Sequence, residues 1–207
     1  MMSVSPISFY EIKDLDDDLL LPWLDLYEIS FSPHEKILVS SFLRNLKQKE
    51  QNPEDQTCFL AALDELKELV GMAYYELFSN PQAGLLWYLA ISPSRRGSGF
   101  GAQFYQEIAR RVREAGCQML VFEVEKPALM STVEEQRIAS RRIQFYQRQG
   151  ARLLKGIDYV QMVGPHQPPT PMHLMVHLFT DLSVDEVTSR AAQIFGDQLQ
   201  VGIPGFA

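Results

Sequence analysis

The sequence predicts a mixed α/β (α+β) chain, with a mostly antiparallel sheet of six to seven strands and helices on both faces. Three features carry that reading. In "TCFLAALDELKELVGMAYYELF" two apolar segments flank a polar turn at residues 64–67, which is a hairpin pattern. A single β–α–β unit follows, made of "GLLWYLAIS", a long amphipathic run and "CQMLVFEVE". After one more helix come "ARLLKGIDYVQM" and "PMHLMVHLF", separated only by the proline-rich loop "GPHQPPTP", so these two strands are expected to pair antiparallel.

Taken in order, "ISFYEI" (residues 7–12) alternates as a half-buried strand does. "LPWLDLYEISF" brings Leu20, Leu24, Tyr27 and Phe31 to one helical face, with Pro22 placed like a first-turn proline. Ser32, Pro33 and Glu35 form a capping-box pattern. It predicts that a second helix starts there, with Leu38, Phe42 and Leu46 as its apolar stripe and His34 on its surface. "KQKEQNPEDQ" reads as a solvated loop. Phe100, Phe104, Ile108, Val112 and Ala115 recur at helical spacing, and Gly116 closes that helix. In "CQMLVFEVE", Val121, Glu123 and Glu125 share one face and Leu120, Phe122 and Val124 the other. A helix over residues 134–149 ends at Gly150, and Ser183 with Glu186 starts a last helix, "SVDEVTSRAAQIFGDQLQV". One domain over residues 1–180 with a helical extension over 181–207 is expected.

A chain of 207 residues can bury a self-sufficient core. The net charge of −7 argues against a nucleic-acid partner and agrees with a cationic one. Cys58 and Cys117 lie far apart in apolar runs and are expected to be reduced and buried. With four scattered histidines they make no zinc pattern, so no metal is expected. The longest apolar stretches fall short of the roughly 20 residues a membrane span needs. "MMSVSPISFYEIKD" lacks the basic flank and apolar core of a secretory signal. No membrane partner and a cytoplasmic location are therefore expected.

The stretch "SPSRRGSGFGAQF" (residues 92–104) concentrates the chemistry. A Walker-type phosphate loop needs Lys and then Ser or Thr after its last glycine; Ala102 and Gln103 follow Gly101, so that reading fails. Residues 97–102 match the dinucleotide pattern G-x-G-x-x-A, and Glu123 lies about where a ribose-binding acid would stand. The hairpin upstream and the antiparallel strands downstream are the wrong context for it. The third pattern is Arg96-x-x-Gly99-x-Gly101 between a strand and a long helix. Glycines let successive backbone N–H groups converge on a diphosphate, the helix N-terminus adds partial positive charge, and arginine adds charge-assisted hydrogen bonds. A plain structural turn with solvated arginines is the remaining alternative.

On these residues the sequence resembles the GNAT superfamily of N-acetyltransferases, whose signature is Q/R-x-x-G-x-G/A in this strand–loop–helix setting. A second stretch, Phe145-Tyr146-Gln147-Arg148-Gln149-Gly150-Ala151, is similar to the family's F-Y-x-x-x-G-F. It departs at Ala151, where an aromatic is usual, and at Ala139, where many members carry an asparagine that touches the pantetheine arm. The resemblance implies a fold, the GNAT acyl-CoA N-acyltransferase fold, and a donor, acetyl-CoA. Its diphosphate would be held by Arg95, Arg96, Gly97, Ser98, Gly99, Phe100, Gly101 and Ala102. Backbone groups of Leu89, Ala90 and Ile91 would meet the pantetheine in a gap beside that strand.

The resemblance further implies an enzyme, an acyltransferase working by direct transfer in a ternary complex, with Tyr146 as the acid that protonates the leaving thiolate. A phenol suits that task. Glu123 is the first candidate for the base, with Glu76 and Glu125 behind it. Glu28, Phe31 and Glu76 are candidates for the acceptor side. The acceptor is expected to be an amine, on a small molecule or a peptide, and the assembly a monomer or homodimer. A catalytically silent acyl-CoA sensor of the same fold is the alternative. A nicotinamide-dependent oxidoreductase is a more distant one.

Overall fold

The computed structural model describes residues 7–33, 35–52, 56–162 and 168–207. His34 and the first half of the "GPHQPPTP" loop lie outside the described residues, as does part of "KQKEQNPEDQ". The chain divides into two compact units: Met1–Leu77 with Leu86–Ile108, and Phe78–Leu85 with Ala109–Ala207. Among the described residues there are eight strands, against the six to seven expected.

The first unit contains β1 (Ser8–Ile12), α1 (Leu20–Ser30), α2 (Val39–Gln51), β2 (Thr57–Leu63) and β3 (Leu69–Phe78). It also holds most of β4 (Ala83–Ile91) and the first half of α3 (Phe100–Glu114). Strands β1, β2 and β3 pair antiparallel in sequence order, the meander that the hairpin pattern predicts. α1 buries Leu20, Trp23, Leu24, Leu26 and Tyr27, and α2 buries Phe42 and Leu46. These side chains meet Phe59, Tyr74 and Tyr88 in an aromatic core. Trp23 has its one polar atom satisfied, Nε1 donating to the Leu60 carbonyl at 3.1 Å. Each fully buried ring of this kind contributes about 1.5–3 kcal/mol of transfer free energy.

The second helix starts later than the capping pattern predicts. Ser32 and Glu35 do bond, Ser32 N–H and Oγ both reaching Glu35 Oε2 at 2.9 and 2.8 Å, but they close a turn. The helix begins at Val39. Two phenols claim the backbone groups in between. Tyr88 Oη donates to the Glu35 carbonyl (2.7 Å) and accepts from Ile37 N–H (3.2 Å), while Tyr27 Oη donates to the Ile37 carbonyl (2.9 Å). Backbone groups so engaged cannot also join a helical ladder. Leu38, expected in the apolar stripe, is exposed.

The second unit contains the end of α3, β5 (Met119–Glu125), α4 (Val133–Arg148), β6 (Arg152–Gln161), β7 (Thr170–Leu178), α5 (Val184–Phe195) and β8 (Leu199–Phe206). Its strand order is β5-β7-β6-β8, each neighbouring pair antiparallel. Thr132 with Glu135, and Ser183 with Glu186, form complete capping boxes at the starts of α4 and α5. α5 packs Val187, Ala191 and Phe195 against Val121, Tyr159, Leu174 and Val176 of the strands.

The segment 181–207, expected to be helical, is a helix followed by a strand. α5 stops at Gly196, which takes φ +55°, and Leu199 is buried as the chain returns along β6. Gly156 makes this pairing possible. It sits in a bulge at φ +68°, where a Cβ would lie 1.8 Å from the Ile203 carbonyl oxygen.

Candidate active site

The glycine loop lies in the first unit. β4 ends at Ile91, and Ser92 N–H donates to the Val70 carbonyl at 2.9 Å, tying the loop's start to β3. Pro93–Arg95 makes one 3-10 turn. Gly97 and Gly99 then take φ +81° and +85°, the left-handed region open to glycine and strained for a branched side chain. A Cβ on Gly97 would meet nothing within 4 Å, so conformation, not crowding, calls for glycine there. Phe100, buried, opens α3, and the amides of Ala102 and Gln103 turn back to the Gly99 carbonyl. Arg96, Gly97, Ser98 and Gly99 are exposed just before a helix N-terminus, an arrangement that can receive an anion.

The two arginines differ. Arg95 donates to Asp64 Oδ2 at 2.6 Å, with Glu68 at 3.9 Å. Asp64 is itself buried, and its Oδ1 accepts the Leu66 and Glu68 amides of the hairpin turn at 3.0 and 3.1 Å. Arg95 thus braces the loop against the β2–β3 turn. Arg96 donates Nε–H to the Ile91 carbonyl at 3.2 Å and is exposed. Ala90 is buried between the partly buried Leu89 and Ile91. Gln103 Nε2, on the first turn of α3, is buried with no hydrogen-bond partner among the described residues.

The acceptor-side candidates of this unit are engaged inside the chain. Glu28 Oε2 and the Glu28 carbonyl both take Lys36 Nζ at 2.6 Å. Phe31 packs on Tyr27 and Tyr88, ring centroids 5.6 and 4.9 Å apart. Glu76 accepts from Tyr74 Oη at 3.0 Å.

Tyr146 and Glu123 belong to the second unit. Tyr146 is buried on α4, its ring 4.4 Å from Phe122 and 5.0 Å from Phe145. Burial pushes its phenol up to about 12, Arg142 opposes that and Glu125 adds to it, so it holds its proton at neutral pH. Arg142 pairs with Glu125, whose Oε2 is buried with no hydrogen-bond partner among the described residues. Ala139 is buried on α4.

Glu123 is partly buried on β5 and accepts one hydrogen bond on each carboxylate oxygen: Tyr159 Oη on Oε1 and Gln161 Nε2 on Oε2. Burial raises its carboxyl to about 7, although both donors pull the other way. Adjacent residues of a strand point to opposite faces. Phe122 meets Tyr146 of α4, and Glu123 meets Tyr159, whose ring lies 4.7 Å from Phe195 of α5. The two groups proposed to handle protons therefore stand on opposite faces of β5.

Sequence reasoning missed Asp64, Tyr159 and Gln161. The pair Tyr159 and Gln161 was marked by period: two polar-tipped residues two apart on one strand share a face. Among the described residues no group of three or more His, Cys, Asp or Glu could hold a metal ion, and no helix is long and apolar enough to cross a membrane.

Residues 23–151 match the model of the acetyltransferase (GNAT) family. None of the curated proteins matches the chain. Among solved structures, a protein from Bacteroides thetaiotaomicron described as a GNAT-family acetyltransferase superposes with a TM-score of 0.69 at 23% identity, covering 91% of this chain and 98% of that one. A spermidine/spermine N-acetyltransferase from Vibrio cholerae superposes at 0.59 and 15% identity, covering 83% and 92%. An acetyltransferase from Bacillus subtilis, in complex with CoA, superposes at 0.53 and 13%, covering 84% and 100%. At these identities the three likenesses speak for the fold.

Proposed function

This chain belongs to the acetyltransferase (GNAT) family, and we propose that it is an N-acetyltransferase moving an acetyl group from acetyl-CoA directly to an amine of a small molecule or peptide. The observation that carries the reading is the loop: left-handed Gly97 and Gly99, exposed beside Arg96, open into the N-terminus of α3. That cradle suits a diphosphate, and the orphan donor Gln103 Nε2 on the first turn of α3 suits an acceptor-rich ligand. Arg96, the residues 97–102 and the backbone of Leu89, Ala90 and Ile91 would hold the CoA. Arg95 would act from its brace on Asp64.

Acetyl-CoA supplies the activated acyl group. Glu123 accepts a proton from the acceptor ammonium, leaving a neutral amine and a carboxylic acid. The amine nitrogen bonds to the acyl carbon as the C–S bond breaks. Tyr146 gives its phenolic proton to the departing thiolate, the nitrogen sheds its second proton to solvent as the amide forms, and Tyr146 is reprotonated from solvent, to which Glu123 also returns its own. An amide and the CoA thiol result. A carboxyl raised to about 7 is matched to a base working near neutrality, and a phenol raised to about 12 to an acid that stays protonated. Glu28, Phe31 and Glu76 would shape the acceptor side in a cytoplasmic enzyme acting on cationic amines.

A thermal-shift panel with acetyl-CoA, CoA, NAD and ATP tests the donor. A ligand that binds the native state alone raises the midpoint. Acetyl-CoA and CoA are expected to raise it, and a shift by NAD with none by the CoA species overturns the reading. An amine library with thiol detection then identifies the acceptor.

A further inference from the structure

Glu123 is supported by residues that the family match does not reach. The match ends at residue 151, whereas Tyr159 and Gln161 lie on β6 and Phe195 on α5. β7 separates β5 from β6 in the sheet, so both donors reach Glu123 across an intervening strand. Tyr159 is fully buried and its ring rests on Phe195. Phe195 in turn sits in the apolar cluster that holds α5 on the sheet, with Val187, Ala191 and Leu182. The phenol has little freedom except to point at the carboxylate.

We propose that β6 and α5 are a positioning apparatus for Glu123, in which Tyr159 and Gln161 each tether one carboxylate oxygen and α5 locks Tyr159 through Phe195. The proposal rests on the reading of Glu123 as the base. An ionised carboxylate offers about four lone-pair sites. The two donors take one on each oxygen, and the remaining two face a substrate proton in a fixed direction. A carboxylate placed this way accepts a proton from an ammonium without first reorienting, which is what preorganisation contributes. Tyr159 and Gln161 are positioning residues, since they act through Glu123. This assigns the C-terminal helix a role in the chemistry, beyond closing the sheet.

The titratable and charged groups on the elements around Glu123 are few. β6 carries Arg152, Lys155, Tyr159 and Asp158, the last 3.6 Å from Lys126. β7 carries His173 and His177, both held below the ordinary imidazole range by burial and by nearby cations. On its own strand Glu125 is paired with Arg142 of α4. The α5 residues in the shared cluster are apolar. Among these, Tyr159 and Gln161 are the ones that bond to Glu123.

The test is a carbon-detected NMR titration of the Glu123 side-chain carboxyl in the full chain, in the wild type, Tyr159→Phe and Gln161→Leu. It needs no substrate. Phenylalanine keeps the ring against Phe195, so the first variant is expected to fold, and the second checks it at a different position. Each lost donor had favoured the anion, so the midpoint should move upward from about 7 in both variants. With an acceptor in hand, kcat/KM at pH 7 should fall about tenfold in Tyr159→Phe and recover toward the wild type at pH 9, with the acetyl-CoA affinity unchanged. A midpoint that stays put in both variants overturns the proposal. A purely structural role would lower the melting temperature and leave both the midpoint and the pH profile in place, which also overturns it. Failure of the underlying reading is separate: then no amine is acetylated, or Glu123→Gln retains full activity and the acid limb of the profile.

Discussion

The glycine loop and the Glu123 centre solve opposite problems. In the loop, one arginine is spoken for inside the chain, Arg95 by Asp64, and the other, Arg96, is exposed. What the loop presents outward is mainly backbone, at Gly97, Ser98 and Gly99, beside Arg96. The Glu123 centre presents a side chain, taken partly out of water and held by two other side chains from a non-neighbouring strand. Holding a donor molecule can be done by backbone shape, which tolerates any side chain that fits. Moving a proton needs a particular functional group at a particular pKa, so it depends on burial and on long-range partners.

The sharpest way to break the first half of that contrast is Gly99→Val. At φ +85° a β-branched residue is strained by at least 1–2 kcal/mol, and the loop must change shape to accept it. Acetyl-CoA affinity is expected to fall by about a hundredfold or more, measured by isothermal titration, while Glu123 titrates as before. Unchanged affinity would remove the loop from the donor site. The second half predicts a smaller effect, read in stability. Glu123 has its carboxyl raised from an ordinary value of 4.5 to about 7. The folded state therefore binds the proton more tightly than the unfolded one, and stability is lost as pH rises through that window. The loss should be about 3 kcal/mol at most. Glu123→Gln should flatten the fall in urea-unfolding free energy between pH 4.5 and 7, and an unchanged slope would assign the fall to other groups.

These two regions were unequally legible in the sequence. The loop could be read because glycine is nearly the sole residue for a left-handed backbone, so Gly97 and Gly99 mark their own conformation. The stripe Phe100, Phe104, Ile108 and Val112 and the box at Ser183 and Glu186 were likewise local signals, and both hold in the structure, whereas Ala115, expected in the same stripe, is exposed just past the end of α3. Ser32 and Glu35 misled because Tyr88, more than fifty residues on, takes the backbone of residues 35 and 37. β8 was hidden because its pairing along β6 depends on the bulge at Gly156, which no local pattern announces. Tyr159 and Gln161 could be placed on one face of a strand. That this face meets Glu123 follows only once β7 is known to lie between β5 and β6.

The central claim is that donor binding and proton transfer are carried by different residues in different parts of the chain. Tyr146→Phe tests it most directly, by measuring kcat with an identified amine alongside the dissociation constant for acetyl-CoA in the same preparation. The ring and its contacts with Phe122 and Phe145 are retained, and only the acidic proton is removed. The account predicts a fall in kcat of about a hundredfold or more with an acetyl-CoA affinity within about twofold of the wild type. Unchanged kcat, or a loss confined to acetyl-CoA affinity, would contradict it.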